Sequence, residues 1–107
     1  MIYLWRMGLR FSFKRKKLED LYYEEKGAQK YPSGVVDAFF RVMSIIEAVP
    51  DIRDLYQLKS LRFEKLKGMR KDERSVRLNK QYRLTMRLEE DEEENYLLIL
   101  DIEDYHD

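Results

Sequence analysis

The 107-residue chain has no cysteine and one histidine, and no apolar run in it approaches membrane-spanning length. Without cysteine there is no disulfide framework, no thiolate metal site and no cysteine nucleophile. A single histidine, His106, excludes a histidine-rich metal site. A membrane helix needs roughly 20 apolar residues, and the apolar patch in the opening "MIYLWRMGLRF" is four residues long, followed by no small-residue cleavage site. Repeats and low-complexity linkers are also missing. The expectation is a cytoplasmic protein with no membrane partner.

What is present is enough for one modest core. Hydrophobic residues make up 44% of the chain and aromatics 13%, too many for disorder even with 39% charged residues. One domain over residues 1–107 follows from the length. The formal net charge is zero but is unevenly spread. Residues 1–52 hold 9 basic against 7 acidic residues, residues 53–87 hold 12 against 4, and residues 88–107 hold none against 10. A block of +8 over residues 53–87 is the kind of asymmetry that attracts phosphate, unless it is simply a solvated surface. The acidic "EEDEEEN" at 89–95 reads either as a solubilising hairpin tip or as a screen over the basic face.

Hydrophobic period divides the chain in two. "LRFSF" (9–13) alternates and predicts a strand; "KRKKLEDLYYEEK" (14–26) predicts a helix stopped by Gly27. A second helix starts at Ser33 or Gly34, carries Val36, Phe39, Phe40, Met43 and Ile46 as its core stripe, and ends at Pro50. "RSVRL" (74–78) and "YRLTMRL" (82–88) alternate with period two around "NKQ", a hairpin. Tyr82, Leu84, Met86 and Leu88 are expected to face the core. "NYLLILDI" (95–102) is a further strand, with Leu98, Leu100 and Ile102 on one face and Leu97, Ile99 and Asp101 on the other. The predicted class is α+β, two N-terminal helices packed on one face of an antiparallel sheet. Arg77, Arg83 and Arg87 would share the exposed face, either binding phosphate or merely solubilising it.

The stretch "EKLKGMRKDERSVRLNKQYRL" (64–84), with "EDYH" (103–106) closing the chain, resembles the HigB-type toxins of the RelE/ParE superfamily. The likeness rests on Leu66-Lys67-Gly68, Arg70-Lys71, Ser75, Arg77, Asn79, Gln81, Arg83 and the closing Asp104-Tyr105-His106, in order and at matching spacing over about residues 8–106. Met69 stands where an aspartate is usual, Asp72 where a glycine is, Arg74 where an aromatic is common, and Glu64 where some members place a histidine. Residues 1–7 read as an extension before the family's usual start.

The resemblance implies a type II toxin with a RelE/HigB-like fold that cuts mRNA in the ribosomal A site. No cofactor and no metal are implied, so the 2′-OH would be the nucleophile. The implied partners are a helix-turn-helix antitoxin (HigA-like), the ribosome and mRNA, and operator DNA through the antitoxin. Such a cut needs a proton acceptor, a proton donor and positive charge on the phosphorane. His106, near neutral pKa by nature, is the acid–base candidate, and Lys67 and Arg83 the phosphate cations. Tyr105 would stack on a base or orient the phosphate, Asp104 would orient His106 or move a proton, and Glu64 is a substitute base. Arg70, Lys71, Arg74, Arg77 and Arg87 are the candidate RNA-binding residues. Two rivals stand beside this reading: a non-catalytic ParE-like inhibitor, and a degenerate toxin that only binds antitoxin or nucleic acid.

Overall fold

The computed structural model describes residues 8–92 and 94–105. His106 and the extension at residues 1–7 therefore lie outside the described residues.

Strand β1 (Phe11–Phe13) leads into helix α1 (Lys16–Glu24) and, after a short turn, helix α2 (Val35–Ala48). A one-turn helix α3 (Arg53–Gln57) and a two-residue strand β2 (Glu64–Lys65) follow. The chain closes with β3 (Glu73–Arg77), β4 (Tyr82–Glu90) and β5 (Asn95–Asp104). The five strands form one sheet in the order β1-β5-β4-β3-β2. β1 runs parallel to β5, so the sheet is mixed and not wholly antiparallel as expected; the other pairings are antiparallel. A parallel pairing needs a long crossover, and the chain from α1 through β4 supplies it.

α1 stops at Glu24, two residues short of the predicted end, because Glu25 takes the left-handed conformation (φ 56°) and its N–H bonds back to the Leu21 carbonyl. Gly34 (φ 89°) opens α2 where a side chain would be strained. The buried stripe of α2 is Val35, Ala38, Phe39, Val42, Met43 and Ile46. Val36 and Phe40, expected in the core, are half-buried at its margin. These side chains join Leu18 and Leu21 of α1, Leu55 of α3 and one face of the sheet in a single core.

On β5 the predicted alternation fails at one point. Thr85 pairs with Asp101 but Met86 pairs with Ile99, leaving Leu100 as the extra residue of a bulge. The bulge resets the pleat, so Leu97, Ile99 and Ile102 all join the core. Leu88, expected inside, is 40% exposed at the far end of β4. The opposite sheet face carries Ser75 and Arg77 of β3, Arg83 and Thr85 of β4, and Glu103 of β5, in cross-strand register.

Candidate active site

The site is built by the β3–β4 turn. The Asn79 side-chain oxygen accepts the backbone N–H groups of Gln81 (2.8 Å) and Tyr82 (2.7 Å), while the Leu78 and Asn79 N–H groups bond the Tyr82 carbonyl. Asparagine favours such turns because its amide imitates a backbone carbonyl. The turn then holds the C-terminal strand end. The Gln81 carbonyl accepts the Tyr105 N–H at 2.7 Å, and the Gln81 amide donates to Asp104 at 3.0 Å.

Beneath Tyr105 lies Arg83, its guanidinium carbon 5.7 Å from the ring centre, within cation–π range. The side chain is only 12% exposed and is fixed on three sides. Nε donates to the Ser75 hydroxyl (2.7 Å), Nη2 donates to the Arg62 carbonyl (2.6 Å), and Glu64 stands 3.8 Å away. Arg62 presents that carbonyl because its own backbone is left-handed (φ 49°). Nη1 forms no hydrogen bond among the described residues, which leaves it as a spare donor. Around it opens a cavity of about 160 Å³ lined by Arg62, Arg77, Asn79, Lys80, Arg83 and Tyr105. Among these described residues four of the six carry positive charge and none is a carboxylate, a lining suited to an anion about the size of a phosphate.

Of the expected catalytic residues, Arg83 and Tyr105 line this cavity and Asp104 flanks it through Gln81. Lys67 is exposed at the start of the 68–70 turn and does not line it. Arg62 and Lys80 were missed in the sequence, and Asn79 was noted only for its match to the family pattern.

The rest of the face departs from an exposed arginine surface. Arg70 turns inward onto two carboxylates, reaching Glu73 at 2.7 Å and Glu103 at 2.6 Å. Hydrogen bonds from Arg70 hold the Glu103 carboxyl below its usual range, with the Thr85 hydroxyl assisting, against a burial effect of opposite sign. Arg87 is engaged by Glu89 at 2.6 Å, and Arg74 donates to the Tyr56 hydroxyl at 2.9 Å. Lys71, Arg74 and Arg87 meet Lys65, Asp72, Leu88 and Glu89 around a second, more open cleft of about 320 Å³ at the other end of the β3–β4 ladder. A further cavity, beside Gly8, Pro50 and Tyr96, holds none of the candidate residues.

The acidic tip lies away from the first cavity. It connects the end of β4 to the start of β5, where Asp91 is bonded to Arg10 and Glu94 stands 3.8 Å from the same guanidinium. From Arg83 to Glu90 is seven residues of strand, roughly 23 Å at about 3.3 Å per residue. The described residues of the tip therefore stand well apart from the cavity.

Comparison with known proteins bears on the family and the fold. The model for HigB-like toxins, RelE-like toxins of type II toxin–antitoxin systems, matches residues 11–106. Toxin HigB-1 of Vibrio cholerae serotype O1 is 41% identical over 73 residues, 68% of this chain and 77% of that protein. Among solved structures, a YoeB/ParE toxin from Agrobacterium tumefaciens superposes with a TM-score of 0.54 at 14% identity, covering 92% of this chain and all of that one. That last likeness concerns the fold alone.

Proposed function

The chain belongs to the HigB-like family of RelE-like toxins of type II toxin–antitoxin systems, and from that premise we propose that it is a ribosome-dependent endoribonuclease cutting mRNA in the A site by metal-independent attack of the 2′-OH. As a toxin of such a system it has an antitoxin partner; we take that partner to be a HigA-like helix-turn-helix protein that also carries the pair to operator DNA. The site of action would be the cytoplasm.

The observation that supports catalysis is the cation-lined cavity beneath Tyr105, one residue before His106. In the proposed reaction the 2′-oxygen attacks phosphorus and the bond to the 5′-oxygen breaks, leaving a cyclic phosphate and a 5′-OH. Arg83, through Nη1, and Arg77 stabilise the phosphorane charge, which a preorganised donor does without reorganisation cost. Tyr105 stacks on the base beside the cut. His106 protonates the leaving 5′-oxygen, with Asp104 orienting it. Lys67 meets the backbone from the neighbouring turn, and Lys71, Arg74 and Arg87 follow the strand toward the second cleft. Glu64, 3.8 Å from Arg83, takes the 2′-OH proton in this reading.

The test is an mRNA bearing a single 2′-deoxyribose at the scissile nucleotide of the A-site codon, on programmed ribosomes. The all-ribose message should be cut, with a 5′-OH on the downstream fragment, and the deoxy message should stay whole. Cutting of both would remove the 2′-OH mechanism. Growth arrest with neither cut would favour the non-catalytic, ParE-like reading.

A further inference from the structure

Arg83 faces Glu103 directly across the β4–β5 ladder, and opposed charges on one face of an antiparallel pair are close enough to interact. Free to choose, Glu103 would neutralise Arg83. Instead both its oxygens belong to Arg70. Nη1 of Arg70 donates to one at 3.0 Å and Nη2 to the other at 2.6 Å, and the buried Thr85 hydroxyl donates to the second at 2.6 Å. The same guanidinium holds Glu73 through Nε (3.1 Å) and Nη2 (2.7 Å). Glu73 is likewise opposite an arginine, Arg87, in the β3–β4 register. Arg83 turns the other way, onto Ser75 and the Arg62 carbonyl.

We propose that Arg70 is a positioning residue of the anion cavity: by capturing Glu103 it keeps a second carboxylate off Arg83, which already has Glu64 at 3.8 Å, so that Nη1 stays open to an incoming phosphate. The inference rests on the phosphate reading of the cavity. Arg70 does not line the cavity, so it acts only through Glu103. Arg83 is largely shielded from water, where a neighbouring carboxylate is screened less than it would be at the surface. The bidentate fork is what makes capture effective; a lysine in its place would offer a point charge without the matching geometry.

A brace and a captor behave differently when the carboxylate is removed. If Arg70 only bracing the strands mattered, Glu103→Gln would damage the cavity as Arg70→Met does, and combining them would not help. If capture matters, Glu103→Gln is harmless and rescues Arg70→Met. The experiment titrates inorganic phosphate into the ¹⁵N-labelled protein and follows the Arg83 Nε–H resonance in the natural chain, Arg70→Met, Glu103→Gln and the double variant. Phosphate should bind Arg70→Met about fivefold more weakly, the upper worth of one partly screened ion pair. Glu103→Gln should bind at least as well as the natural chain, and the double variant should return to within about twofold of it. Weakened binding in Glu103→Gln, or no rescue in the double variant, overturns the proposal. Should Arg70→Met fail to fold, Arg70→Lys, which keeps the charge but not the fork, takes its place, with weaker phosphate binding expected and the same rescue by Glu103→Gln. mRNA cutting on programmed ribosomes is measured in parallel: a natural chain that binds phosphate at Arg83 but cuts nothing would sink the nuclease reading and leave this inference standing.

Discussion

Arg83 is the residue on which most of the site depends, and its geometry explains why lysine should not replace it. Its fork donates to Ser75 and to the Arg62 carbonyl while leaving Nη1 over; an ammonium cannot do all three in fixed directions. Arg83→Lys is therefore expected to lower single-turnover mRNA cutting by at least about tenfold while keeping the charge, because an orienting donor is commonly worth that much in rate. A rate within twofold of the natural chain would mean charge alone suffices. Glu103 gives a second residue-scale expectation. Its carboxyl is held below the ordinary value of 4.5 in the folded state, so the pair contributes stability above that pH, and the contribution is lost as pH falls below about 4.5 through the lowered value. With Arg70 42% and Glu103 26% exposed, solvent limits it to on the order of 1 kcal/mol. Urea denaturation between pH 7 and 3 should show a smaller acid loss in Glu103→Gln; an unchanged slope would contradict the pairing. Arg83 and Tyr105, which line the cavity, were readable as candidates because the family pattern carries them. Arg62 was not, since it contributes a carbonyl through a left-handed backbone that no side-chain pattern announces. Arg70 matched the pattern yet turns inward, because Glu73 and Glu103 reach it only once three strands are side by side.

At the scale of elements, the β3–β4 hairpin does the positioning, and Asn79 holds its turn with two backbone hydrogen bonds. Asn79→Ala should cost about 1–2 kcal/mol in chemical denaturation, the usual range for two such bonds in a partly exposed turn. Cutting should fall by more than the loss of folded protein explains, since the same turn carries Arg77, Lys80 and the Tyr105 anchor. A stability loss with unchanged activity in the folded fraction would separate turn from site. The hairpin itself was legible from strict alternation in "RSVRL" and "YRLTMRL". The β5 faces were not, because a bulge at Leu100 shifts the pleat by one residue and leaves no mark in the pattern of apolar side chains. α3 and β2 escaped for a related reason: each is too short for a period to declare itself. Their places are set by contacts distant in sequence, Leu55 in the core and Glu64 against Ser75.

Across the whole molecule, charge is arranged along the length of β4 and β5. The cation-lined cavity occupies one end and the acidic tip the other, where Arg10 engages Asp91 and Glu94. The polarity was plain in the sequence. The distance between its poles was not, since it depends on the direction of two long strands. Neutralising the tip with Asp91→Asn and Glu92→Gln should leave cutting within about twofold, because exposed charges farther apart than roughly 10 Å are largely screened at 0.1 M salt; a large gain would restore the screening role once open for it. Ribosome binding, by contrast, should weaken steeply with added salt if the basic block meets RNA backbone. The central claim is that the cavity beneath Tyr105, with the histidine that follows it, cuts RNA. The most direct measurement compares the natural chain, His106→Ala and Arg83→Met for mRNA cutting in a reconstituted translation reaction. Cuts at A-site codons that disappear in both variants, with each variant still binding antitoxin, are the predicted result. Cuts of undiminished rate in either variant, or a natural chain that halts translation without cutting, would contradict it.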